Sequence, residues 1–203
     1  MSALTLPRPT LERLADATRT PLPWHRPVPP AVHEPVPRLL ADALVAFGSP
    51  EVLVELDLVV RGGGRLRSWQ RQRGDRVTLI SAAGPQTLVL AWCSAPGWGE
   101  HLAQAATVDP PDTGRPPPGD VDVPFEALIA GRAGSRLSGS GGRLRVTVAG
   151  PRGVGWVSWV LYADGWRELT PYAERGVPMV HVRAVTPGVL GHRVARLAAG
   201  ARR

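Results

Sequence analysis

The sequence predicts an α+β protein, a central antiparallel sheet with flanking helices arranged as two quasi-symmetric halves. Three observations predict it. Valine- and leucine-rich runs of strand length alternate in polarity, the breaks between them are hairpin-sized and carry Gly, Pro or Asp, and a helix-forming stretch closes each group of strands.

The N-terminal region, residues 1–38, reads as a brief helix from Thr10 to Thr18 followed by proline-rich chain, set apart from a single domain over 39–203. A helix at Leu39–Leu44 leads through Ser49-Pro50 into Val52–Val60. There Val52, Val54, Leu56, Leu58 and Val60 share one face, because strand side chains alternate. The other face carries Leu53, Glu55, Asp57 and Val59 and reads as half wet. After Gly62-Gly63-Gly64, the Arg61–Arg76 stretch reads as a solvated loop with a short helix. Two β-rich runs follow, Arg76–Ser81 and Gln86–Trp92, with a turn at Ala83-Gly84-Pro85 between them. A helix over Glu100–Thr107 closes the first half, about 39–108, and residues 109–121 form a linker.

The second half, about 122–203, opens with Arg143–Val148, where Leu144, Val146 and Val148 point one way and Arg143, Arg145 and Thr147 the other. A turn at Gly150–Gly153 leads to a strand over Trp156–Tyr162. Asp164-Gly165 tolerates positive φ and predicts a tight hairpin into Trp166–Thr170. Val177–Val185 supplies the last strand. Thr186 then caps a helix with Pro187 at its first position, an apolar stripe of Val189, Leu190, Val194, Leu197 and Ala198, and Gly200 past its end. The two halves share pattern more than residues, and any meander with terminal helices reads as periodic.

The totals narrow the function. At 203 residues and 43% hydrophobic, the chain can build a continuous core. Its 23 glycines and 22 prolines concentrate in Pro21–Pro37, Pro110–Gly119 and Gly131–Gly142, which read as linkers or mobile loops. The net charge is +7 and the isoelectric point about 11.2. Every cation is arginine, so phosphate-loop, Schiff-base and kinase chemistries that need lysine fall away. The single cysteine, Cys93, leaves no internal disulfide and no multi-cysteine zinc site, and reads as a small buried hydrophobe. Five histidines show no metal-ligand spacing, so neither a metal nor a cofactor is expected. No run is apolar enough for a signal peptide or a membrane span, which predicts a cytoplasmic protein without membrane insertion.

Three groups of residues can carry function. Glu55 and Asp57 face the same side of one strand, a spacing of roughly 6.6–7 Å that suits glycoside acid–base work but is equally ordinary on a wet face. Arg61, Arg65, Arg67, Arg71, Arg73 and Arg76 around Trp69 could form a nucleic-acid groove. The tryptophans Trp156, Trp159 and Trp166 lie in one hairpin. Trp156 and Trp159 must point to opposite faces, so one of them is exposed if helices cover a single face. A sheet with this bare chemical inventory suits holding another protein better than catalysis.

In order and spacing the chain resembles the EspG family, cytoplasmic chaperones of the ESX (type VII) secretion systems of actinobacteria. The likeness rests on Leu39–Leu44 running into Ser49–Val52, on Arg73-Gly74-Asp75-Arg76-Val77-Thr78-Leu79, on Gly155-Trp156-Val157-Ser158-Trp159, on Asp164–Arg167 and on Val185-Thr186-Pro187 with its helix. The chain is shorter than is usual in that family. The resemblance implies a non-enzymatic chaperone or adaptor that covers the apolar tip of a helical secretion substrate, a PE–PPE heterodimer or a WXG100-like hairpin, and guides it to secretion. Exposure logic selects Trp156, Trp159, Leu161 and Trp166 as partner contacts, with the turn at Ala83, Gly84 and Gln86.

Overall fold

The computed structural model describes residues 2–28, 35–109, 120–129 and 140–202. Of the stretches expected to be linkers or loops, Pro110–Gly119 and most of Gly131–Gly142 lie outside these residues, whereas most of Pro21–Pro37 lies within them. The described elements run β1 (Ser2–Pro7), α1 (Arg8–Ala17), α2 (Arg38–Gly48), β2 (Val52–Val60), β3 (Gly64–Arg73), β4 (Arg76–Ala82), β5 (Thr87–Ser94) and α3 (Ala95–Ala106). They continue with β6 (Val121–Pro124), α4 (Phe125–Ile129), β7 (Gly142–Gly150), β8 (Gly153–Tyr162), β9 (Gly165–Glu174), β10 (Val177–Val185) and α5 (Pro187–Arg202).

The strands form one 10-stranded sheet in the order β1-β5-β4-β3-β2-β7-β8-β9-β10-β6. Read from either end, that order is an edge strand, then a meander traced backward to the central pair β2 and β7. Those two strands pair antiparallel from Leu53↔Ala149 to Val60↔Gly142. The sheet is thus continuous across the middle.

Each face is covered differently. On one face lie α3 and α5, packed against each other and over the inward side chains of β2, β7 and β8: Val52, Val54, Leu56, Leu58, Leu144, Val146, Val148, Val157 and Trp159. The helices approach closely because both are glycine there; a Cβ on Gly191 would sit 2.6 Å from the Gly99 Cα. Gln70 faces this core from β3 and accepts a hydrogen bond from the Trp98 indole. On the opposite face α1 and α2 pack Leu11, Leu40, Leu44 and Phe47 against Trp69, Ile80, Leu88 and Leu90 of β3, β4 and β5. At the far end of that face, α4 lies against β6 and β10 over Val123, Val180 and Val182.

Several elements differ from expectation. The N-terminal region begins with β1, an edge strand paired to β5 from Ser2↔Trp92 to Pro7↔Thr87, rather than entering α1 directly. The Arg61–Arg76 stretch is mostly β3, not a loop with a short helix. Its arginines at 65, 67, 71 and 73 keep strand periodicity, with Leu66, Ser68, Gln70 and Gln72 on the other side. The segment taken as a linker up to 121 ends in β6. Helix α5 runs through Gly200 to Arg202 because its last turn packs on the sheet: Ala201 is buried and its carbonyl accepts from Arg152 N–H at 3.2 Å.

Candidate functional site

Between α2 and α4 the middle of one sheet face has no helix over it among the described residues. This floor is built from the outward side chains of β3, β2, β7 and β8, and the strand registers arrange them in rows, since directly opposed residues share a face. The first row is Arg71, Leu53, Ala149 and Val154; the second is Trp69, Glu55, Thr147 and Trp156. The third is Arg67, Asp57, Arg145 and Ser158; the fourth is Arg65, Val59, Arg143 and Val160. One end of the floor is therefore apolar and the other basic. Trp156 is 55% exposed, Val154 64% and Leu53 36%.

The electrostatics follow from the rows. Arg65 grips Asp57 through two hydrogen bonds, Nε to Oδ1 at 2.7 Å and Nη2 to Oδ2 at 3.1 Å. That bond to Asp57 raises the Arg65 pKa. Arg71 is buried beside α2, its guanidinium 5.1 Å from the Phe47 ring and 4.0 Å from a Glu55 oxygen. Burial pushes its pKa down, with the Glu55 charge opposing. Arg67 lies over the Trp69 ring at 4.9 Å. Arg143 and Arg145 are exposed and have no ion-pair partner among the described residues. Five arginines against two carboxylates leave the floor positive. A shallow depression of about 200 Å³ lined by Glu55, Asp57, Arg65, Arg67 and Arg145 marks its centre.

The tryptophan logic holds in part. Trp156 and Trp159 do fall on opposite faces. Trp159 (0% exposed), Leu161 (1%) and Trp166 (3%), however, belong to the core and cannot touch a partner. They face α3 and α5: the Trp159 and Trp166 rings are 6.0 Å apart, and the Trp166 indole donates to the Ala106 carbonyl at 2.8 Å. Helices cover that face, and the hairpin through Asp164-Gly165 aims these rings beneath them. The turn at Ala83, Gly84 and Gln86 is exposed, with Gln86 O accepting from Arg8 N–H at 2.9 Å. It lies four strands from β8, about 19 Å at ordinary strand spacing, so it forms no common patch with Trp156.

The competing readings lose their geometry. Glu55 and Asp57 stand on an open face, Asp57 held by Arg65 and Glu55 near Arg71, instead of converging on a cleft. Trp69 is buried beneath Trp24, with ring centroids 4.7 Å apart, and presents no face for a base to stack on. Arg73 and Arg76 turn away toward a cavity of about 800 Å³ that also holds Asp75, Cys93, Glu100 and His101. Burial there raises the Cys93 thiol and lowers the His101 imidazole, which keeps both neutral at pH 7. No group of three potential metal ligands occurs among the described residues, and no described helix is long and apolar enough to cross a membrane.

No protein-family model and no curated protein matches the chain. Among solved structures, the Mycobacterium tuberculosis type VII secretion system chaperone EspG5, determined in complex with a PE25–PPE41 dimer, matches with a TM-score of 0.67. The match covers 97% of this chain and 95% of that one at 14% sequence identity. The fold is EspG-like. At this identity the likeness speaks for the fold alone. With 97% of this chain covered, the match takes in the N-terminal region, which the sequence set apart from the domain, together with both meanders.

Proposed function

We propose that the protein is a non-enzymatic, cytoplasmic chaperone or adaptor that holds the apolar tip of a helical type VII secretion substrate on its open sheet floor. The partner is a PE–PPE heterodimer or a WXG100-like hairpin, and the two halves of the sheet act as quasi-symmetric wings around the floor. The observation that carries this reading is the amphipathic layout of the floor. Leu53, Val154 and Trp156 offer an exposed apolar end, and Arg67, Arg143 and Arg145 border it with unneutralised charge. Apolar surface left bare on a soluble monomer marks interaction sites, and aromatic anchors beside a polar rim are the usual form. The EspG-like fold supports the same reading, because the matched neighbour was solved holding a PE25–PPE41 dimer.

The test is co-expression with purified-tag versions of helical PE–PPE or WXG100-type substrates from the same source, followed by size-exclusion chromatography. A stable equimolar complex that Trp156→Glu abolishes, with melting of the free variant unchanged, supports the reading. Capture that survives Trp156→Glu together with Arg145→Glu places the partner elsewhere. Failure of every such substrate to bind removes the chaperone role.

A further inference from the structure

A second feature of the sheet lies beyond the open floor. Strands β8 and β9 are joined by a two-residue turn, yet they pair only from Trp159↔Glu168 to Tyr162↔Gly165. Strand β8 goes on pairing with β7 all the way to Gly150↔Gly153, and β9 goes on pairing with β10 to Val177↔Glu174. The sheet therefore forks past Trp159 and Glu168. On the open side of the fork, Gly153–Ser158 of β8 and Leu169–Glu174 of β9 have no strand opposite them among the described residues. Backbone donors and acceptors left unpaired along a strand edge are a template for another chain.

The apex of the fork is pinned. Glu168 is buried, and its Oε2 accepts from Arg183 of β10 at 2.7 Å and from Arg193 of α5 at 2.9 Å, so one carboxylate ties β9, β10 and α5 together. The fork opens into a cleft of about 250 Å³ lined by Trp156, Ser158, Leu169, Thr170, Arg193 and Arg196. Arg193 is spent on Glu168. Arg196 is exposed and has no ion-pair partner among the described residues, so the cleft keeps a positive charge at its rim.

We propose that this fork is a strand-addition site, which takes an extended peptide segment of a partner protein onto the free edge of β8, with an acidic side chain of that segment facing Arg196. Backbone hydrogen bonds to β8 supply affinity, Trp156 and Leu169 receive the apolar side chains, and Arg196 selects for charge. The mode differs from tip capture on the floor; Trp156 borders both surfaces, so the two are told apart by the edge amides of β8 and by Arg196, which only strand addition engages.

The probe is a blocked hexapeptide of alternating Val and Thr with one Glu, compared with its Glu→Lys version and with a copy N-methylated at alternate amides. Amide hydrogen exchange of the full chain is the readout. The Glu peptide slows exchange at residues 153–158 saturably and the N-methylated copy does not. The Lys peptide binds about three- to tenfold more weakly, the size of an exposed charge contact and its reversal. Arg196→Glu inverts that preference, and if the variant fails to fold, the Glu-to-Lys comparison on the native chain decides alone. No protection up to millimolar peptide, equal protection by the N-methylated copy, or indifference to the peptide charge overturns the proposal.

Discussion

Replacing the two tryptophans of β8 one at a time separates core from surface. Trp159 is fully buried, its ring tilted against Trp166 at 6.0 Å and sealed by α3 and α5, so Trp159→Ala removes a large ring from the main core. Truncations of this kind cost about 3–5 kcal/mol. The Trp159 indole N–H is buried without a hydrogen-bond partner among the described residues, and losing it returns part of that cost, which places the expectation at about 3 kcal/mol. For a domain of this size about 3 kcal/mol lowers the melting temperature by roughly 6–12 °C. Trp156 is more than half exposed, and Trp156→Ala should stay within about 0.5 kcal/mol, or roughly 2 °C. Circular-dichroism melts and urea titrations of the two variants measure the gap. Equal destabilisation, or a larger loss for Trp156→Ala, would refute the assignment of faces and with it the amphipathic floor.

Gly191→Ala should destabilise by about 1–3 kcal/mol in the same melts, because the new Cβ meets backbone of Gly99 and the helix pair must spread; a neutral result would mean that α3 and α5 do not cross there. Asp16 has a lowered pKa: burial pushes it up, but the Val28 N–H at 2.8 Å and the His25 imidazole at 2.7 Å outweigh burial and hold it down. A depressed folded-state value gives stability that is present above the unfolded aspartate pKa and lost as pH falls through the folded one. Asp16→Asn should therefore flatten the acid limb of the stability curve, and an unchanged limb between about pH 5 and pH 2 would sink that account. Binding to generic duplex DNA at low salt should be weak, since Trp69 is covered and Glu55 and Asp57 offset part of the basic floor; tight, steeply salt-dependent binding would revive the nucleic-acid reading.

Strands whose residues alternate apolar with polar were legible in the sequence, and they are β2, β7 and β10 here. What escaped has a common cause. In β3 the side facing α3 carries Ser68, Gln70 and Gln72, buried polar residues that satisfy part of their hydrogen bonding internally, as Gln70 does with Trp98. A hydrophobicity rule reads such a strand as loop, although the two-residue spacing of its arginines was visible. β1 and β6 are short and pair only at the sheet edges, so their stability comes from β5 and β10 rather than from their own pattern. The site was half legible for the same reason. Parity placed Trp156 and Trp159 on opposite faces, but which face the helices cover depends on α3 crossing α5, a contact between residues far apart in sequence.

The open floor follows from where the helices can pack. The α3–α5 pair sits over the central strands on one side because both helices are glycine at their crossing and lie close enough to seal β2, β7 and β8 together. On the other side α1 and α2 are held to β3, β4 and β5 by Leu11, Leu44 and Phe47 against Trp69, Ile80 and Leu90, while α4 is held to β6 and β10. The helices on that side have apolar partners only on their own strands. In the middle of the floor β2 and β7 present Glu55, Asp57, Thr147, Arg145 and Arg143, which would be costly to bury under a helix without partners. Those charges disfavour a helix over the middle of the sheet, where none of the described helices lies, and Leu53 of β2 with Val154 and Trp156 of β8 stands beside them. A partner that brings its own acidic groups to Arg67, Arg143 and Arg145 could cover the apolar end without stranding a charge, a condition that none of the described helices meets.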